Sequence, residues 1–158
     1  MAAVKRNRTK EAKCNRAEEE KWKRTKVVKL ERSVSMKYKS VITGIGPEAL
    51  EFLSPELDLN FVIIFNEDAP PELADLAILH TNAALEGVPA VGDTFKLGKK
   101  TYKITAVGSE APHTLATLGH CTLAFSPDET AYRPGCIMLD GAPVTRDDLA
   151  AGETIEIY

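Results

Sequence analysis

Short apolar stretches separated by turn-forming residues recur along the chain from Met36 to its end. Some alternate with polar residues, which is the two-residue period of a strand with one buried face, and others are continuous and rich in β-branched side chains. This pattern predicts strands at residues 38–45, 60–65, 94–97, 101–105, 120–125, 136–139 and 154–158. Many short strands in one chain indicate an all-β fold: a small barrel-like domain or a sandwich, with one or two short helices.

The clearest local feature is a hairpin. Residues 98–100 form a short connection in which Gly98 supplies the turn. In the return strand, the alternation predicts that Tyr102, Ile104 and Ala106 share one face, while the threonines and the lysine between them face the other way.

Three stretches carry helix signals. Residues 47–53 begin with a proline and predict one or two helical turns. Asp68 as a cap, followed by prolines and a glutamate, predicts a short helix that leads into Ile78-Leu79-His80. Residues 111–118 predict a further short helix, which Gly119 ends.

Charge divides the chain into two parts. Residues 1–35 contain twelve Lys/Arg and five Asp/Glu, a net charge of +7, whereas residues 36–158 contain eight and eighteen, a net charge of −10. The first part mixes its signs and lacks a periodic apolar stripe, so we expect a charged, disordered extension or a frayed helix. One interpretation is a basic arm for nucleic acid or an acidic membrane surface.

Another interpretation is that residues 1–35 correspond to an untranslated upstream leader that has been read as protein by mistake. Residues 31–33, Glu-Arg-Ser, back-translate to a purine-rich, ribosome-binding-like sequence placed just before Met36. We favour the leader over the basic arm, expect no nucleic-acid partner, and restrict the fold prediction to residues 36–158.

Composition excludes several classes of protein. No window approaches the run of about 20 apolar residues that a membrane span needs, and the N-terminus lacks the apolar core of a secretory signal. Three cysteines without a C-x-x-C pair favour neither disulfides nor a zinc ribbon, so we expect a cytoplasmic protein. A P-loop, a dinucleotide fingerprint and a G-x-S-x-G elbow are absent, and we expect no cofactor. The spacing of His113, His120 and Cys121 matches no compact ligand pattern, and we expect no metal.

His80 is the best candidate for chemistry among the three histidines. It follows the apolar run 76–79 directly and precedes Thr81 and Asn82, so we expect its side chain at the rim between buried structure and solvent. A hydrogen-bonded histidine at a strand edge is the competing interpretation. His113 lies in a polar helix start, and we expect no role for it.

Several segments occur in an order and spacing known from one protein family. They are Val41-Ile42-Thr43-Gly44-Ile45-Gly46, Ala69-Pro70-Pro71-Glu72-Leu73 leading into Ile78-Leu79-His80, Gly92-Asp93-Thr94-Phe95, Tyr102-Lys103-Ile104-Thr105-Ala106-Val107-Gly108 and Leu118-Gly119-His120-Cys121-Thr122-Leu123-Ala124-Phe125. Together they resemble the glucitol/sorbitol-specific enzyme IIA component of the bacterial phosphoenolpyruvate-dependent sugar phosphotransferase system. The resemblance covers nearly all of residues 36–158 and none of residues 1–35. This chain has Thr81-Asn82 where that family often has a second Cys or His.

The resemblance implies a phosphotransferase component. His80 would accept a phosphoryl group, on Nε2, from the histidine phosphocarrier protein and pass it to a cysteine of a IIB domain. The partners would then be the phosphocarrier protein and the IIB and IIC subunits of a polyol permease. By analogy with other enzyme IIA types, His120 would be a second histidine that stabilises the phosphate. Thr81, Arg133 and Lys103 are further groups that could contribute.

A rival interpretation from another class is a non-catalytic β-barrel module that binds a small ligand or a regulatory protein. A homodimer through exposed edge strands is also compatible with the predicted fold.

Overall fold

A computed structural model describes residues 36–158. The extension predicted for residues 1–35 lies outside the described residues. The helices of residues 36–158 are two α-helices, α1 (Pro71–Ala74) and α2 (Ala111–Leu118), and the single 3-10 turns Pro55–Leu57 and Arg146–Asp148. The strands are β1 (Tyr38–Ile45), β2 (Leu53–Ser54), β3 (Leu59–Asn66), β4 (Ile78–His80), β5 (Thr94–Leu97), β6 (Lys100–Val107), β7 (Cys121–Phe125), β8 (Cys136–Asp140) and β9 (Thr154–Ile157).

The strands form a closed barrel. The order within the sheet is β2-β3-β4-β1-β9-β5-β6-β8-β7, and β3 also pairs with β7, so that eight strands close on themselves while β2 lies outside the ring. The barrel prediction is confirmed, and the sandwich alternative is excluded for these residues. Each of the eight strands is paired on both sides, so the edge-strand argument for a homodimer loses its basis here.

The barrel interior is the main hydrophobic core. Large side chains with at most 1% exposure fill it, among them Tyr38, Phe95, Ile104 and Leu123. A smaller cluster contains Ala106, Ala124, Cys136 and Met138, with Phe61 and Ala131 packed against it. Most of these residues belong to β6, β7 and β8, which therefore carry apolar side chains on two faces.

The shared face predicted for Tyr102, Ile104 and Ala106 is wrong at its last member. Tyr102 and Ile104 belong to the main core, but Ala106 packs in the smaller cluster and Val107 packs against the main core instead. The register of β6 on β8 shifts between Ile104 and Ala106. A bulge of this kind adds one residue to the strand and moves the following side chains to the opposite face.

Two helix predictions need correction. Of residues 47–53, for which the sequence predicts a helix, residues 47–52 form turns and Leu53 begins β2. The turns are closed by hydrogen bonds from one residue to the third residue before it, such as Ala49 N–H to the Gly46 carbonyl at 3.1 Å. Asp68 does not cap the next helix, because α1 starts at Pro71 with Pro70 at the cap position. By contrast, α2 has the predicted bounds, and Gly119 ends it with φ +62°.

β3 brings distant parts of the chain together near its C-terminal end. It runs parallel to β4, where Asn66 is opposite His80, and antiparallel to β7, where Ile64 is opposite Cys121. The residues just before β7, Gly119 and His120, therefore lie close to the end of β4. None of the helices in residues 36–158 has the length and apolar character that a membrane crossing requires.

Candidate functional site

His80 is the last residue of β4, and both nitrogens of its ring face backbone carbonyls. Nδ1 lies 2.9 Å from the Thr81 carbonyl oxygen, and Nε2 lies 2.8 Å from the Gly119 carbonyl oxygen. Thr81 is the next residue in the chain, whereas Gly119 comes from the junction of α2 and β7. The imidazole is thus clamped between its own strand end and a distant segment.

The expected position of His80 at the solvent rim is wrong. The residue has 0% exposure, because the backbone at Gly119 lies over the Nε2 edge of the ring. Burial lowers the pKa of His80 below its usual value, against the opposing effect of the Gly119 and Thr81 carbonyls. This shift favours the neutral form of the ring.

A neutral imidazole carries only one N–H, so it can donate to only one of these two carbonyls. The other nitrogen then directs its lone pair at a carbonyl oxygen less than 3 Å away. One of the two contacts is unfavourable whichever tautomer forms. The site therefore holds the ring tightly but does not satisfy both of its nitrogens.

Gly119 is packed so closely that no side chain could replace its hydrogen. A Cβ there would lie 2.8 Å from His80 Cε1 and 2.5 Å from Asn66 Cγ, and it would overlap Asn66 Oδ1. The positive φ of Gly119 also disfavours any L side chain. Sequence reasoning recognised Gly119 as a helix end but missed its contact with the histidine, because nothing local to residue 119 indicates His80.

Tyr38 completes the surroundings of the ring. Its aromatic ring meets the imidazole edge-on at a centroid distance of 6.1 Å, and its hydroxyl lies 3.5 Å from Nδ1. Burial raises the pKa of Tyr38 to about 12, so the hydroxyl stays protonated. This contact joins β1 to β4 through two residues that are 42 positions apart in the chain, and the sequence offered no signal for it.

A depression of about 400 Å³ lies beside this clamp. Its lining is formed by Phe65, Asn66, Asp68, Ala69, Pro70, Leu73, Asn82, Thr117 and Leu118. Leu73 and Leu118 are 42% and 46% exposed, which is high for leucine side chains. The surface next to His80 is therefore apolar, with polar groups from Asn66, Asp68 and Asn82.

His120 lies close to the clamp but has contacts of its own. Its ring packs on Phe65 at a centroid distance of 4.9 Å, and Nδ1 lies 3.3 Å from the Ile64 carbonyl oxygen. Within residues 36–158, no hydrogen bond joins the His80 and His120 rings. What connects them is the peptide between Gly119 and His120.

The other candidate residues lie elsewhere. His113 is exposed on α2. Arg133 lines a groove of about 600 Å³ that includes Phe61, and Lys103 lines a further depression with Asp140. The hydroxyl of Thr81 accepts a hydrogen bond from Val41 N–H at 3.0 Å. Of the suggested groups, only Thr81 and His120 are near the His80 ring.

Comparison with known proteins gives consistent results. A family described as PTS system glucitol/sorbitol-specific IIA component matches residues 37–156. The PTS system glucitol/sorbitol-specific EIIA components of Escherichia coli (strain K12) and Shigella flexneri are each 38% identical over 119 residues, which is 75% of this chain and 92% of theirs. The crystal structure of a PTS system IIA component from Enterococcus faecalis V583 is 26% identical, with a TM-score of 0.57 over 74% of this chain and 96% of that one.

Proposed function

Because the chain belongs to the glucitol/sorbitol-specific IIA components of the sugar phosphotransferase system, we propose that His80 is its phosphoryl acceptor. The donor is the histidine phosphocarrier protein, and the acceptor of the onward transfer is a cysteine of a IIB domain. The permease then phosphorylates glucitol (sorbitol) or a related polyol during uptake. The observation that carries this proposal is the clamped, neutral imidazole of His80, with 0% exposure and a carbonyl at each nitrogen.

Nε2 is the nitrogen that forms the bond to phosphorus. The Thr81 carbonyl belongs to the adjacent residue and stays with the ring, so it fixes the proton on Nδ1. The Gly119 carbonyl belongs to a separate segment that ends in a glycine, and it can be displaced. Attack by the Nε2 lone pair leaves the Nδ1 proton in place. The phosphorylated ring then carries a positive charge, which the Thr81 carbonyl stabilises.

Access to Nε2 requires a movement, because the phosphoryl group cannot reach a ring with 0% exposure. The segment that moves is the junction of α2 and β7, where Gly119 is the flexible residue. This displacement also relieves the unfavourable contact between the unprotonated Nε2 and the Gly119 carbonyl.

The partner proteins dock over the depression next to His80. Exposed Leu73 and Leu118 provide an apolar centre, and Asp68 and Glu72 add negative charge beside it. Residues 36–158 carry a net charge of −10. The complementary partner surface is therefore apolar with a basic rim.

The test is a transfer assay with phosphoenolpyruvate, enzyme I, the phosphocarrier protein and this chain. We expect His80→Ala to abolish labelling, and His80→Gln to do the same while retaining the fold, as checked by circular dichroism. His113→Ala, an exposed histidine, is the matched control and should label normally. The label should be acid-labile and base-stable, as phosphohistidine is. Labelling that persists in a folded His80 variant would refute the proposal.

His120 has a different expected effect. Because its ring lies near the Gly119 peptide but makes no hydrogen bond to the His80 ring in the described residues, His120→Ala should leave phosphorylation intact. Onward transfer to a IIB domain should slow, since the phosphate loses a stabilising donor. If His120→Ala transferred the phosphoryl group onward at the wild-type rate, His120 would have no role in the mechanism. The proposal for His80 would be unaffected.

A further inference from the structure

Asn66 is the residue that the clamp leaves unexplained. It is the last residue of β3 and is opposite His80 in the parallel β3–β4 pair. Its side-chain amide packs against Gly119, where a Cβ would lie 2.5 Å from Asn66 Cγ and 2.8 Å from His80 Cε1. The amide and the Cε1–Nε2 edge of the imidazole therefore meet at the same point of the backbone.

The Asn66 amide is not satisfied by its surroundings. Its Oδ1 atom is buried and has no hydrogen-bond partner within residues 36–158. Buried polar atoms without partners are rare in folded proteins and are often explained by function. The residue also lines the depression beside His80, so part of it faces the space from which a phosphoryl group would arrive.

We propose that Asn66 donates its amide N–H to the phosphoryl group carried by His80. This inference rests on the proposed function of His80. In the transfer step, the bond between phosphorus and the phosphocarrier histidine breaks, and its electron pair returns to that ring. The Nε2 lone pair of His80 forms the new bond, and the Nδ1 proton stays where it is.

Asn66 is suited to this step for a geometric reason. A phosphoryl group bonded to Nε2 displaces the Gly119 carbonyl. In the unphosphorylated protein, the Asn66 amide contacts the Gly119 backbone at this same place. The phosphoryl oxygens are acceptors only, so the amide turns its Nδ2 end toward them. Stabilising charge on these oxygens is the main task of the protein in phosphoryl transfer. In the resting state, the amide atom without a partner is the acceptor Oδ1, so turning the Nδ2 end toward the phosphate costs the amide no hydrogen bond at that oxygen.

The experiment compares Asn66→Ala and Asn66→Asp with a matched control, Asn60→Ala. Asn60 lies at the opposite end of β3, outside the depression beside His80, and its amide donates to the Phe125 carbonyl at 3.0 Å. We expect the rate of phosphoryl transfer from the phosphocarrier protein to fall roughly 100-fold in Asn66→Ala, the usual effect of losing one donor to a developing charge. It should fall further in Asn66→Asp, which keeps the shape but adds negative charge. The transfer rate of Asn60→Ala should stay within about two-fold of wild type.

A second measurement separates this role from a structural one. Because the buried oxygen of Asn66 has no partner to lose, Asn66→Ala should unfold at the wild-type urea concentration. A merely structural residue would lose stability together with rate, and that result would overturn the inference. So would wild-type rates in both Asn66 variants while labelling still depends on His80. Labelling that survives in a folded His80→Gln variant is a different result, because it refutes the proposed function itself.

Discussion

The two ends of β3 are built in opposite ways. At the N-terminal end, Phe61 and Asn60 line an open groove of about 600 Å³ together with Tyr132 and Arg133. At the C-terminal end, the smaller depression of about 400 Å³ lies beside His80, whose ring is completely covered. The open groove has room for a ligand but only ordinary surface chemistry. The covered end has the proposed phosphoryl acceptor, His80, and the buried Oδ1 of Asn66, which has no hydrogen-bond partner in residues 36–158.

The open surface and the proposed phosphoryl acceptor therefore lie at opposite ends of β3. Cys136, whose thiol is a potential nucleophile, lines the groove. Its side chain is buried, and burial raises the pKa of the thiol. It therefore stays protonated and unreactive. At the other end, burial keeps the imidazole of His80 neutral, which is the form a nucleophile needs. Burial favours the neutral form of both groups. The neutral form is the unreactive one for a thiol and the nucleophilic one for an imidazole.

Gly119→Ala should produce the largest effect on the covered end. The added methyl group would be forced against His80 and Asn66 at a residue with φ +62°. We expect the free energy of unfolding to fall by about 2–4 kcal/mol, combining the left-handed backbone penalty with overpacking. Phosphorylation of His80 should be lost as well. Urea denaturation and the transfer assay measure the two effects.

Gly135→Ala is the matched control for this substitution. A Cβ at Gly135 meets nothing within 4 Å, and its φ is not positive. Its effect should remain within about 0.5 kcal/mol. Similar losses in the two variants would mean that the close packing at Gly119 has no special role.

The depressed pKa of His80 predicts a pH-dependent stability. The unfolded chain takes up a proton on this histidine near its ordinary pKa of 6.5, whereas the folded protein resists protonation until a lower pH. The difference in free energy of unfolding between the wild type and His80→Gln should therefore have its full value above pH 6.5. It should decline as the pH falls toward the folded-state pKa, by about 1.4 kcal/mol per unit of difference between the two pKa values.

Urea denaturation of both proteins between pH 8 and pH 5 measures this dependence. The direction of the change is the decisive result. A difference in unfolding free energy that stays constant, or that grows in favour of the wild type at low pH, would contradict a neutral buried imidazole.

The smallest effect is expected at the open groove. Tyr132 and Arg133 are exposed at the N-terminal end of β3. The double variant Tyr132→Ala and Arg133→Ala should accept phosphate within about two-fold of the wild-type rate, as surface changes away from a site usually do. A loss of ten-fold or more in the transfer assay would show that the groove takes part in phosphoryl transfer or in docking.

Much of the fold could be predicted from local pattern. The bounds of α2 depend on a proline near its start and Gly119 at its end, and the β5–β6 hairpin depends on one glycine, Gly98. Its connection is residues 98–99, one residue shorter than predicted, because Lys100 already pairs with Leu97. Such signals act within a few residues and survive any tertiary arrangement. They fail where tertiary contacts compete, as at residues 47–53, where turns replace the predicted helix. The bulge that turns Ala106 away from the core has no local signature either.

The candidate site divides in the same way. His80 could be found from the sequence, because it is a titratable residue at the end of an apolar run and within a segment that resembles a known family. Its burial could not, because the cover comes from Gly119, 39 positions away. Asn66 also ends an apolar run, but only the parallel pairing of β3 and β4 brings it beside the histidine.

The sequence by itself therefore determined where α2 and seven of the nine strands lie, which residue is the candidate acceptor and which family the domain resembles. These properties depend on residue type, short-range periodicity and the order of motifs. The tertiary structure decided that the sheet closes into a barrel, that His80 is covered rather than exposed, and that Asn66 and Gly119 meet at its ring. The physical reason is that the pairing of β3 with β4 and β7 joins segments far apart in the chain, and hydrophobic packing of the whole barrel, not local propensity, fixes that register.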